Sequence, residues 1–287
     1  SDPSAGWGLW AIGAAAAAWA LRSVPNASVG VVVACIWGCA HIDEHRELMG
    51  LVPLVATVPF FALLYLERSR ALFGLTSISF IILAANATVM GFDTGFGLTL
   101  GLLACAAALL AFSLTTYFER DARTLGVLAL AAVAYMCSFH EIAREFLVGT
   151  REFKSFSGLV FIVPLLGAAL YLVVRNAGKL RDRPTTRAAL VGIPVILIGL
   201  AFGDEVIVAI VANITLALLV FTSIASAART LQRAPFWFGS LLGGIVILSR
   251  FLEFETELWL KALVFVGCGI AVILFGIGFE RRLRHAV

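Results

Sequence analysis

The sequence predicts an all-α polytopic membrane protein of about eleven transmembrane helices, arranged in antiparallel hairpins. Three observations carry that prediction. The 287 residues are 61% hydrophobic and only 14% charged, and their mean hydropathy is +1.00. Apolar runs of roughly 20 residues, the length that crosses a hydrocarbon core about 30 Å thick, follow one another with short polar breaks. The charged side chains gather at the ends of these runs and leave their middles clear.

Taken in order, the first run (5–21) is Ala-rich and lacks the basic start of a signal peptide, so it reads as a retained helix. The second (27–44) ends in the polar string His41-Ile42-Asp43-Glu44-His45. Runs 49–66 and 71–91 follow, the former carrying Pro59, and then 96–118 and 124–142. Pro164 and Pro194 lie inside runs 156–174 and 187–203, where a missing N–H and ring clash kink a helix. Run 205–228 leads to a closing hairpin (236–280) made of runs 236–252 and 256–279. These runs occupy nearly the whole chain, so residues 1–287 form a single transmembrane domain.

Sorting the charges by run end gives two faces. One holds Arg22, Arg68, Arg70, Arg120, Arg123, Arg175, Lys179, Arg181, Arg183, Arg187, Arg229, Arg233, Arg281, Arg282 and Arg284. Against them stand Glu67, Glu119, Asp121, Asp182 and Glu280, so 15 basic and 5 acidic groups leave +10. The other face keeps 6 basic and 13 acidic groups, a net of −7. The positive-inside rule places the basic face in the cytoplasm. With an odd number of spans, the N-terminus lies outside and the C-terminus inside. Membrane lipids are the first expected partners, and a protein partner or a second copy is a further one. No basic patch carries the interleaved aromatics of a nucleic-acid surface. The five cysteines all fall within apolar runs, as small buried hydrophobes rather than a disulfide framework.

A repeat is legible around the second and sixth runs. Cys39, Asp43, Arg46 and Glu47 recur 98 positions later as Cys137, Glu141, Arg144 and Glu145. The repeat units would be 27–123 and 124–233, four spans each and therefore parallel in orientation. Arg250 and Glu253 resemble the start of a third unit.

Two constellations could carry chemistry. His41 and His45 lie four residues apart on one helix face, the spacing that brings two imidazoles to one Zn²⁺, with Glu44 as general base in an H-x-x-E-H arrangement. A solvated helix end explains the same string without a metal, and the repeat partner has Phe139 where His41 would fall. No cofactor is expected, with zinc at His41 and His45 as the exception to test. The second constellation is an acidic outer rim in which Asp43, Arg46, Glu47, Asp93, Glu141, Arg144, Glu145, Arg250 and Glu253 would form a vestibule for a small polar or lipid-like ligand. Within the spans, Asn86, Thr88, Asn213 and Thr215 are the polar groups that can bond across helices. No Asp, Glu, Lys or Arg lies at mid-span, which counts against an ion-coupled pump. Walker, G-x-S-x-G and C-x-x-C-H motifs are absent.

The last fifty residues are the least generic. Phe238-Gly239 leads into Ser249-Arg250-Phe251-Leu252-Glu253-Phe254, then Leu258-Trp259-Leu260-Lys261-Ala262, Gly267-Cys268-Gly269 and Glu280-Arg281-Arg282. That succession resembles the C-terminal hairpin of uncharacterised bacterial multi-pass membrane proteins, a domain of unknown function. The resemblance implies a bacterial inner-membrane protein and no assigned activity. The expectation is thus a binding or transport-like scaffold rather than an enzyme. The alternatives are a structural or sensory subunit and a metal-dependent membrane-embedded hydrolase.

Overall fold

The computed structural model describes residues 3–44, 51–91, 94–115, 117–148, 157–253 and 258–286. They are helical almost throughout, with no strand among them. Helices α1 (Pro3–Leu21) and α2 (Val24–Glu44) pack along each other across the tight turn at Arg22 and Ser23. Helix α2 starts earlier than its apolar run because Pro25 sits in the first turn, where its missing N–H is harmless. Helices α3 (Val52–Glu67) and α4 (Arg70–Gly91) complete an N-terminal group. Trp19 ties α1 to α3 by donating from Nε1 to the Pro59 carbonyl at 3.1 Å. The core of this group is apolar and continuous, with Phe60, Leu63, Leu72, Phe73 and Leu83 all buried.

Helix α5 (Thr94–Phe112) joins the two halves of the molecule. Gly97 and Gly101 let it approach α4 closely, since a Cβ at either position would fall on Thr88. The helix ends six residues before its apolar run does, because Ser113 and Thr115 turn their hydroxyls onto the Leu110 and Phe112 carbonyls at 2.6 and 2.9 Å.

Helix α6 (Glu119–Cys137) therefore takes in the charged stretch Glu119–Arg123 as its first turns, and a short helix α7 (His140–Val148) follows a break. Next come α8 (Ser157–Arg175), the single turn α9 (Ala177–Leu180) and α10 (Pro184–Phe202). Gly203, at φ 69°, ends α10 in the left-handed conformation that favours glycine. Asp204 caps α11 (Glu205–Thr230) by accepting from the Val206 and Ile207 N–H groups at 2.8 and 3.3 Å. Helices α12 (Arg233–Glu253) and α13 (Leu258–Ala286) close the chain. A second core joins α5, α6, α10 and α11 through Leu110, Leu130, Ile196, Leu216 and Leu219. Helix α13 rests on α12 through Phe279 stacked on Phe236 at 4.2 Å, and exposes Val266, Ile273, Leu274 and Phe275. In water such a surface would be a liability, whereas in a bilayer it faces acyl chains.

Among the described residues, seven helices are long and apolar enough to cross a membrane, namely α2, α4, α5, α10, α11, α12 and α13. The apolar stretches Gly6–Leu21, Val52–Leu64 and Phe161–Arg175 are shorter, and α6 opens with four charged residues in its first five. Among the described residues, seven helices thus qualify by length and composition, fewer than the eleven apolar runs of the sequence.

Candidate functional site

Polar groups collect at two places on one set of helices. At the end that carries the acidic residues, the break between α6 and α7 exposes the carbonyl of Ser138. The Ser138 hydroxyl turns back onto the Tyr135 carbonyl at 2.6 Å and interrupts the helical ladder. Arg250 of α12 donates from Nη2 to the Ser138 carbonyl at 2.6 Å and to Asn213 Oδ1 at 3.4 Å. Its guanidinium lies 4.5 Å from the centre of the Phe139 ring. Asn213 of α11 donates from Nδ2 to the same Ser138 carbonyl at 3.3 Å. One planar cation and one amide thus hold a freed carbonyl, and α6, α11 and α12 are latched together. Nearby, Glu205 takes His140 at 3.1 Å and Arg144 at 4.0 Å.

The expected rim can be placed only in part. Arg144 meets Glu205, and Glu141 is exposed on α7. The Arg250 contacts described above are to the Ser138 carbonyl, Asn213 and Phe139. The backbones of Asp43, Glu44, Glu145 and Glu253 are helical, but their side chains lie outside the described set. His45, Arg46, Glu47 and Asp93 lie outside the described residues altogether. His41 stacks on Trp37 with ring centres 5.2 Å apart. No group of three or more His, Cys, Asp or Glu is gathered for a metal among the described residues. Of the mid-span polar groups, Asn213 bonds across helices, whereas the Thr88 and Thr215 hydroxyls donate to their own Ala84 and Val211 carbonyls at 2.9 Å.

The other place lies at the basic end. A cavity of about 290 Å³ opens between α6, α10, α11 and α12. Its wall carries Arg120 and Arg123 of α6, Arg183 ahead of α10, and Thr186, Ser223 and Ser226. Close helix approach shapes it. A Cβ on Gly239 would come within 2.8 Å of Ile224 and 3.1 Å of Ser223, and one on Gly192 within 2.6 Å of Thr215. Arg183 is already engaged, with Nη2 2.8 Å from Glu119 Oε2 and Nη1 donating to the Ser113 carbonyl at 3.1 Å. Lys179 likewise donates to the Leu114 carbonyl at 2.8 Å, so the early end of α5 is capped by side chains from beyond α8. Arg123 sits at the basic end, ahead of the apolar stretch that begins at Thr124. Burial pulls its guanidinium below the usual arginine range, Glu119 works the other way, and the like charges of Arg183 and Arg120 add to the burial.

Thr186 and Ser223 are almost fully buried, at 0% and 1% exposure. Their hydroxyl oxygens have no hydrogen-bond partner among the described residues. A buried hydroxyl without a partner costs about 1–3 kcal/mol, so two in one cavity wall call for an explanation. The sequence offered a faint signal. Ser223, Ser226 and Thr230 repeat at helical spacing along the end of α11, opposite Thr185 and Thr186 at the start of α10. Only the packing of α10 and α6 against α11 turns that stripe into a wall.

The ion pairs seen among the described residues stay within the two charge sets sorted from sequence. Arg70–Asp121, Arg183–Glu119 and Arg233–Glu280 join members of the basic set, and His140 and Arg144 meet Glu205 in the acidic set. No protein-family model matches the chain, and neither the curated proteins nor the solved structures hold a match to it.

Proposed function

We propose that this chain is a polytopic membrane protein that binds a small polar ligand in the cavity at its basic end, as a transport-like scaffold. The observation that carries this reading is the wall itself, where cations and buried hydroxyls without a partner among the described residues line a cavity of about 290 Å³. Ligand sites between helices of membrane bundles are typically apolar clefts with a few convergent polar groups. Three of the four helices that line the cavity, α6, α11 and α12, also meet at the Ser138 latch. Interrupted helices held by side chains recur where membrane proteins handle ligands. The acidic end, where Glu141 is exposed and Glu205 meets His140 and Arg144, would be the opposite mouth. By the positive-inside rule the cavity opens to the cytoplasm of a bacterial inner membrane, with the N-terminus outside. Counting α1, α3, α6 and α8 with the seven longer helices completes eleven spans.

The test is access. Ser226 lines the cavity and is half-buried. In oriented proteoliposomes, Ser226→Cys should react with a membrane-impermeant maleimide faster than the parent chain, whose cysteines are buried or half-buried, and from the basic side alone. Labelling no faster than the parent would sink the cavity as a binding site.

A further inference from the structure

We propose that the cavity between α6, α10, α11 and α12 is a phosphoryl-group site, taking the phosphate of a small ester or of a lipid headgroup. This rests on the binding reading above and assigns its ligand class. Three kinds of donor converge there. The first is side-chain charge: Arg120, Arg123 and Arg183 line the cavity against Glu119 and Asp182, one positive charge in excess. Glu119 is taken by Arg183 at 2.8 Å, so the excess lies with the α6 arginines.

The second is backbone. Helices α6, α10 and α12 all begin at the cavity, with Glu119, Pro184 and Ala234 among its lining, while only α11 ends there, at Thr230. The starts of α6 and α10 have no side-chain cap, so their first N–H groups are not absorbed by Phe118 or Arg183. Each helix end contributes roughly half a charge, so three starts against one finish add about one positive unit. Together with the side chains this makes about +2, which matches a phosphate monoester carrying roughly −1.5 to −2 at neutral pH.

The third is hydroxyl. Thr186 and Ser223 line the cavity, their hydroxyl oxygens are buried without partners among the described residues, and a χ1 turn toward the cavity would let a tetrahedral anion accept from both. A cationic ligand would meet the wrong sign. A neutral polyol would leave the crowded arginines uncompensated. A carboxylate would neutralise half of the positive field and reach fewer donors.

The experiment uses the full chain in proteoliposomes carrying Ser226→Cys, with inorganic phosphate, glycerol 3-phosphate, glycerol and choline as soluble probes. Phosphatidate and phosphatidylcholine vesicles form a second arm. Phosphate and glycerol 3-phosphate should slow labelling of the introduced thiol, while glycerol and choline should not. Protection by phosphatidate vesicles without protection by the soluble esters would assign the headgroup source, and the reverse would assign the soluble one. Adding Arg123→Gln should weaken protection about tenfold or more, the loss of one charge-assisted hydrogen bond. Arg120→Gln, at an exposed position, gives the same readout if the first variant fails to fold. Efficient labelling that no phosphorylated probe slows would overturn the phosphoryl assignment while leaving the cavity standing. A thiol that never labels would overturn the binding reading itself.

Discussion

The latch at Ser138 and the cavity at the basic end are built on the same three helices and are opposites in how they treat polar groups. At the latch, the freed Ser138 carbonyl has two donors, and the Arg250 cation lies over an aromatic face. At the cavity, three guanidinium groups crowd together and two buried hydroxyls have no partner among the described residues. A polar cluster built around a carbonyl that the protein's own donors already hold does structural work and gains little from a ligand. A cluster whose needs are unmet is destabilising until something supplies the missing acceptors. Mutations should therefore separate the two ends, with loss of stability at one and loss of binding at the other.

The largest effect is expected at the latch. Arg250→Ala removes the shorter of the two bonds to the Ser138 carbonyl and the contact with Phe139. Hydrogen bonds to charged groups contribute about 1.5–3 kcal/mol, so the variant should lose about 2–3 kcal/mol, seen as a lower Tm in detergent. Arg250→Lys should recover less than half of this, because an ammonium cannot supply the planar stack together with the directed N–H. A Tm unchanged in the alanine variant would show that Asn213 alone holds the break.

Binding should dominate at the cavity. Arg123→Gln is expected to leave the stability within about 1 kcal/mol of the parent, because burial and two neighbouring arginines already work against this charge. Phosphate protection should nonetheless fall about tenfold or more. Loss of fold equal to that of Arg250→Ala would make Arg123 a structural group and erase the contrast between the ends.

How much of this was open to sequence reasoning depends on range. The sorting of charges into two ends was legible because it needs only the positions of apolar runs, and pairs such as Arg183–Glu119 and Arg144–Glu205 fall within single ends as sorted. Asp204 as a cap was equally local. The break at Ser138 was not, because Ser138-Phe139-His140-Glu141 at the end of run 124–142 reads equally well as the plain end of one helix. What stabilises the break comes from Arg250, 112 residues away. The cavity was invisible for the same reason. Its hydroxyls are ordinary Ser and Thr in apolar helices until α10 and α6 close on α11. Of the two arginines that the repeat made conspicuous, Arg144 is an exposed partner of Glu205, and Arg46 lies outside the described residues.

A smaller effect, and of opposite sign for stability, is expected at Ser223. Ser223→Ala removes a hydroxyl that is buried without a partner among the described residues, so stability should hold or rise by up to about 1 kcal/mol. If a phosphoryl oxygen accepts from that hydroxyl, protection by glycerol 3-phosphate should drop severalfold in the same variant. Stability and affinity moving in opposite directions at one side chain is the signature of a group kept for a ligand. A fall in stability would mean that the hydroxyl is bonded within the protein, and the contrast would lose its sharpest point.

The smallest effect belongs to Arg144→Ala. Its side chain is 72% exposed and its Nε lies 4.0 Å from Glu205, which His140 approaches more closely at 3.1 Å. Exposed pairs of this kind contribute about 0–1 kcal/mol and are screened by salt. The Tm should move by no more than about one degree at physiological salt, and phosphate protection at the far end should not change. The comparison between ends turns on this variant as a zero. The sequence singled out Arg144 by its recurrence, whereas the structure gives it a wet, long-range partner. A marked loss of phosphate protection in Arg144→Ala would mean that the acidic end and the cavity communicate. The helices they share, α6, α11 and α12, would then transmit a ligand-dependent movement, and the latch would be part of the binding machinery instead of its foundation.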